Sequence, residues 1–271
     1  MFAFEFMRHA FAATGIVAIL SGLVGYFMVL RGESFAGHAL SHVGFAGATG
    51  ALLVGMPPFW GLMGATVLAG VAMGLGGRGT TQGRDVTIGL VLSCMLGCGL
   101  LFLHFLTTSA TRATALLFGN VLGVDRAMLG WLLVLGAGCV LAMAALSRPL
   151  LFASLQPETA EARGVNLRLV STVFLAIVAV VTAECVQITG VLLVFALMVG
   201  PAATAQRLTA TPGWGIVLSV LLAIGAGWGG LALSWWTDCP ASFWISALST
   251  VAYLAAGAWR FTERGAGADP V

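Results

Sequence analysis

Lysine is missing altogether from these 271 residues, and only ten side chains are acidic. All twelve basic residues are arginines, so charged residues make up 8% of the chain and the net charge is +2. So small a positive balance, without any basic run, excludes a nucleic-acid partner. The missing lysine excludes something more specific. A phosphate-binding loop of the form G-x-x-x-x-G-K-[ST] reaches the nucleotide phosphates with its lysine, so any ATP-driven step must draw on another subunit. An H-E-x-x-H sequence, which would set a general base beside two zinc ligands, is also lacking, and this removes the membrane metalloprotease reading. The five cysteines, Cys94, Cys98, Cys139, Cys185 and Cys239, lie scattered in apolar stretches. Their spacing matches no disulfide framework or zinc ribbon, and they read as packing residues.

What fills the sequence instead is apolar: 59% of residues are hydrophobic and the mean hydropathy is +1.03, far above any soluble globular domain. The chain is therefore expected to be an all-α polytopic membrane protein whose first partner is the lipid bilayer. Spans of about 20 residues suit the bilayer core. About nine apolar windows emerge between arginines, glycines and prolines, near 11–30, 35–55, 58–76, 86–107, 127–147, 168–184, 188–206, 214–235 and 242–259. This predicts about 8–9 transmembrane helices. TALLFGNVLGV, at 114–124, is too short to span and reads as an interfacial or re-entrant helix.

Arginine placement sets the orientation. With the loop after the first helix inside, Arg31, Arg78, Arg84, Arg148, Arg163, Arg168, Arg207, Arg260 and Arg264 are cytoplasmic, and only Arg8, Arg112 and Arg126 are outside. The N-terminus is then outside and the C-terminus cytoplasmic. The longest polar interruption, RPLLFASLQPETAEARGVNLR, becomes a cytoplasmic segment. Within it Pro157 suits a first helical turn, Glu158 and Glu161 suit the positive end of the helix dipole, and Gly164 suits the stop. Glycines at helix-repeat spacing, Gly22 with Gly25, Gly44 with Gly47 and Gly50, and Gly61 with Gly64, predict close helix crossings.

Few polar side chains remain at membrane depth, where ionisable groups mark functional sites. HALSH, at 38–42, holds two of the four histidines. Four residues apart on a helix, His38 and His42 share one face and can reach one small ion, and Ser41 could add an oxygen or orient a ring. The plainer alternative is that the rings bond backbone carbonyls, or each other, in a helix seam. Glu184 closes the sixth window near its outer end, where water would reach it, and is the remaining candidate for a further ligand or gate charge. His104 sits late in the fourth window with a weaker case. In ITGVLLVFALMVGPAATAQRLT, Gly200 and Pro201 predict a helix break of the sort transporters place near their pathways.

Three of these stretches together resemble one family. VLRGESFAGHALSHVGFAGATGALLVG is similar to the second-helix motif of the permease subunits of metal-ion ABC importers, the zinc, manganese and iron group. VQITGVLLVFALMVGPAATAQRLT resembles that family's second signature, and PETAEARGVNLRL between them resembles its cytoplasmic coupling segment. The resemblance covers the chain from about residue 10 to residue 260. It implies a single transmembrane permease domain over 1–271, with a coupling segment near 153–167 in which Glu158, Glu161, Ala162 and Gly164 dock on the ATPase. It further implies a homodimer of permease chains, separate ABC ATPase subunits, and an extracytoplasmic metal-binding protein, in a bacterial plasma membrane. Zinc or manganese would pass as substrate, with no permanently bound cofactor, and the chain itself would not be an enzyme. His42 aligns with the histidine of the family's aspartate-x-x-x-histidine pair. The sequence departs at the other position, where His38 replaces the aspartate. Two imidazoles without an aligned carboxylate favour zinc over manganese. The rivals are a permease for metal chelates of the siderophore or cobalamin type, which needs a wide non-coordinating path, and a stand-alone secondary transporter, which needs several intramembrane carboxylates.

Overall fold

Each apolar window becomes a helix because a backbone in lipid must satisfy its own hydrogen bonds. The computed structural model describes residues 4–76, 81–106, 117 and 119–266, the side chains of 81–87 and 261–266 excepted. Arg78, Arg112 and residues 114–116 and 118 of the 114–124 stretch therefore lie outside the described residues. Ten α-helices can be delimited among the described residues, in order: α1 Glu5–Leu30, α2 Ser34–Leu53, α3 Pro58–Leu75, α4 Thr81–Phe105, α5 Arg126–Leu155, α6 Pro157–Ala162, α7 Leu167–Thr189, α8 Val194–Leu208, α9 Pro212–Thr237 and α10 Ala241–Ala266. No strand occurs among the described residues. The nine long helices correspond to the nine windows.

Seven of them are long and apolar enough to cross a membrane on their own composition, which leaves out α2 and α8. The two fall short for different reasons. α2 has 20 residues, but its histidines, serines and glycines dilute its hydropathy. α8 has only 15 residues, a length of about 22 Å against a bilayer core of about 30 Å. α2 packs against α3, α4 and α7, and α8 against α1, α9 and α10; α8 carries a nearly unbroken buried face through Val194, Leu197, Met198, Pro201, Ala202 and Ala205.

Three expectations need correcting. α5 does not stop before Arg148; it runs through Pro149 to Leu155, held by the fully buried Leu150 and by Ala153. Packing thus shortens the polar interruption to 156–166. α7 does not end at Glu184 but continues to Thr189, which draws Glu184 inside the bundle. The helix break foreseen at Gly200 and Pro201 is absent, for α8 passes through both as one helix. The chain instead breaks upstream at 190–193, where Gly190 takes a φ of +80° that a side chain would resist. In the described part of 114–124, Leu117 is helical and Val121–Gly123 form a 3-10 turn. The N–H of Leu192 donates to the Leu117 carbonyl at 3.5 Å, so this stretch lies against the 190–193 break.

Close crossings hold the helices together, and two glycine positions show how close. A Cβ on Gly25 would lie 1.9 Å from the Met198 carbonyl oxygen, so α1 and α8 touch backbone to backbone. Gly47 and Gly61 face each other across α2 and α3, each within 2.3 Å of where the other's carbonyl would meet an added Cβ. Gly64, expected to join that seam, faces open space.

Chain ends and side-chain links place the elements along the membrane normal. Arg126 at the start of α5 bonds Glu5 at the start of α1, at 2.6 Å. At the opposite end Arg31, just after α1, bonds Ser171 early in α7. The α5–α6–α7 connection and the α1–α2 corner therefore share one end of the bundle.

Candidate functional site

α2 begins at that shared end. Glu33 precedes it, and His38 and His42 follow about 6 Å and 12 Å along its axis from Ser34. His42 is buried, with 6% of its surface exposed, while His38 is partly exposed. The two rings lie perpendicular with centroids 4.8 Å apart. Phe195, at the start of α8, packs edge-on against His38 at 5.6 Å, and Phe35 does so at 6.4 Å. Phe195 and Phe35 were not foreseen as parts of the site. The signal was faint: Phe195 belongs to the PAATA-containing stretch, but only the fold brings it to α2.

The Nδ1 atoms of both histidines are buried and have no hydrogen-bond partner. The alternative in which the rings bond backbone carbonyls or each other therefore fails at these two atoms. A buried polar atom without a partner is costly, and a ligand is one way to offset that cost. Geometry permits a shared ion. With Zn–N of about 2.1 Å and about 1.1 Å from ring nitrogen to centroid, two imidazoles at a tetrahedral angle have centroids about 5.2 Å apart. The observed 4.8 Å differs by less than a side-chain adjustment would cover. Ser41 is fully buried, and its hydroxyl donates to the His38 carbonyl at 2.8 Å. That bond turns it toward the backbone and away from ring orientation, with its oxygen lone pairs left over.

Glu184 sits elsewhere. It is wholly buried, where the sequence suggested a wet helix end, and neither carboxylate oxygen has a hydrogen-bond partner. Its carboxylate faces α5 at Gly136, beside Ile16 and Leu20 of α1, with an oxygen 3.8 Å from a Cβ placed on that glycine. Its neighbour Cys185 lies 3.1 Å from Ser21 Oγ. The histidine pair faces α8 through Phe195, so the fold does not bring Glu184 to it. Among the described residues no three His, Cys, Asp or Glu side chains gather into a metal-holding group. His104 is exposed beside Phe105 and takes no part.

The residues expected to couple form a short helical hairpin between α5 and α7. α6 has Pro157 in its first turn and ends with Gly164 at φ +83°. The N–H groups of Gly164 and Val165 donate to the carbonyls of Glu161 and Ala160 at 2.9 and 3.0 Å, closing the helix end. Asn166 then caps α7, its Oδ1 accepting from Leu169 N at 3.1 Å. Glu158, Glu161, Ala162 and Gly164 are exposed, while Ala160 is fully buried. The hairpin thus presents its acidic face outward on a fixed base.

A bundle of long apolar helices around a loosely built imidazole pair is the architecture of an α-helical membrane transporter. The chain belongs to the ABC 3 transport family, whose profile matches residues 3–260. It is 32% identical over 207 residues to the manganese transport system membrane protein MntC of Listeria monocytogenes, covering 76% of this chain and 73% of that one. It is 26% identical over 245 residues to the high-affinity zinc uptake system membrane protein ZnuB of Haemophilus influenzae, covering 88% and 91%. Among solved structures it is similar to PsaBC from Streptococcus pneumoniae in complex with Fab, with a TM-score of 0.83, 26% identity, and 93% and 91% of the two chains covered.

Proposed function

We propose that this chain is the permease of an ATP-driven importer whose substrate is zinc, with manganese as the competing ion. The observation that carries the reading is the His38–His42 pair, perpendicular rings 4.8 Å apart with both Nδ1 atoms buried and unpartnered. Imidazole suits zinc, whereas manganese prefers the carboxylate oxygen that the family places where His38 stands. Two protein ligands hold an ion without trapping it, unlike a closed four-ligand site. Manganese transporters among the relatives support the competing ion.

The transport cycle follows from this placement. Two copies of the chain form the path, and an extracytoplasmic metal-binding protein delivers the ion on the side opposite α6. Neutral His38 and His42 take it from that side. ABC ATPase subunits, which must supply the phosphate-binding lysine absent here, dock on Glu158, Glu161, Ala162 and Gly164. Their closure moves the 156–166 hairpin and rocks the helices between outward-open and inward-open forms. Glu184, facing α1 and α5, stands apart from the histidine pair. The chain sits in the bacterial plasma membrane with its N-terminus outside and its C-terminus cytoplasmic.

The test is uptake of labelled zinc and manganese, each alone and in competition, into metal-starved cells expressing the chain with its ATPase and binding protein. Zinc is expected to win, and His38→Ala and His42→Ala are each expected to abolish uptake at normal membrane levels. His38→Asp is expected to shift preference toward manganese. Uptake that survives both alanine variants would refute the site, and manganese winning in the wild type would refute the choice of metal.

A further inference from the structure

Arg31 is a meeting point of α1, α2 and α7. Its Nη2 donates to Ser171 Oγ of α7 and, at 3.2 Å, to Glu33 Oε1 ahead of α2. Its guanidinium carbon lies 5.6 Å from the centre of the Phe174 ring, one turn further along α7. The side chains of Arg31 and Glu33 retain only 13% and 5% of their exposure. Glu33 is itself clamped: its N–H donates to the Met28 carbonyl at 2.8 Å, and its carbonyl accepts from Ala36 N at 2.9 Å.

A buried ion pair is a poor way to gain stability, because desolvation offsets most of the attraction and an apolar pair packs as well. What it provides is direction. Both bonds leave one nitrogen, Nη2, so Ser171 and Glu33 are joined through a single charged donor and a shift of one bears directly on the other. On one side of this donor, Ser171 lies five residues beyond Asn166, the cap that joins α7 to the 156–166 hairpin. On the other, Glu33 lies five residues before His38. The two ends of the link are thus the proposed docking segment and the proposed ion site.

We propose that Arg31 is a positioning residue that links the 156–166 hairpin, through Ser171 and Glu33, to the turn of α2 bearing His38 and His42. Movement of the hairpin shifts the start of α7, the shared Nη2 donor carries the shift to Glu33, and the imidazole pair opens or closes. The proposal rests on the functional reading above, since the movement must come from an ATPase docked on α6.

The experiment uses the complex of this chain with its ATPase and binding protein, in membranes. It reads labelled zinc uptake together with ATP hydrolysis, with and without zinc-loaded binding protein. Arg31→Gln is expected to lower the ratio of stimulated to basal hydrolysis on the order of tenfold, a usual size for coupling between sites, with basal hydrolysis unchanged. Arg31→Lys, which keeps a charged donor but not the planar guanidinium beside Phe174, should restore part of the ratio. Ser171→Ala removes a single hydroxyl and should lower the ratio by about threefold, and added to Arg31→Gln it should have no further effect. The proposal is overturned if Arg31→Gln keeps the ratio, if basal hydrolysis falls in step with it, or if the two substitutions act additively. Should Arg31→Gln fail to accumulate, Arg31→Lys and Ser171→Ala decide, and wild-type ratios in both overturn the link. A wild-type complex that takes up neither zinc nor manganese refutes the functional reading and the link with it; wild-type uptake untouched by any variant refutes the link alone.

Discussion

Gly25→Ala inserts one methyl group where α1 meets α8. That methyl would lie 1.9 Å from the Met198 carbonyl oxygen and 2.9 Å from its carbon, whereas real contacts of this kind essentially never fall below 3.0 Å. The two backbones must part by about 1.1 Å, because a carbonyl within a helix cannot swing aside as a side chain does. Overpacking of this sort costs about 1–3 kcal/mol, and at the size of this chain that lowers the melting temperature by roughly 3–10 °C. The matched control is Gly64→Ala on the exposed face of α3, where nothing lies within 4 Å and the gain in helix propensity is about 0.5–1 kcal/mol. Thermal unfolding of the purified protein in detergent should therefore move in opposite directions for the two variants. Uptake should fall further for Gly25→Ala than its melting point implies, because α8 carries Phe195 away from His38. Equal melting temperatures for the two variants would refute the backbone contact between α1 and α8.

Two more outcomes follow from the same geometry. Glu184→Met replaces a partnerless buried carboxylate with an apolar side chain of similar volume, and is expected to melt no lower than wild type, with uptake within about twofold; uptake lost at full stability would place Glu184 in the ion path. Glu158→Arg with Glu161→Arg reverses the exposed face of α6 and is expected to reduce recovery of the ATPase on the purified permease without lowering its amount in the membrane; undiminished recovery would move the docking surface elsewhere.

Much of the fold was legible because lipid enforces it. A chain this apolar with no lysine has few options, and each run of about 20 apolar residues must close its own hydrogen bonds as a helix. HALSH was legible for a related reason, since two histidines at helical spacing stand out where polar side chains are costly. The α6 hairpin was visible in the order of its proline, glutamates and glycine, each suited to its own helix position.

Pro149 and Pro201 show where local rules stopped. Proline at either position should end or break a helix, yet both helices continue, because Leu150 packs fully buried in one and the inner face of α8 packs around the other. Neighbouring helices supply more than the single lost backbone bond takes away. Glu184 is the same lesson in another form: its depth depended on five further residues of α7 and on Gly136 across the crossing. Composition, helix periodicity and the spacing of the histidines lie within the sequence, because they are properties of neighbours along the chain. The approach of Phe195 to His38, the burial of Glu184 and the joining of Arg31 to Ser171 across 140 residues are contacts between distant segments, and only packing decides those.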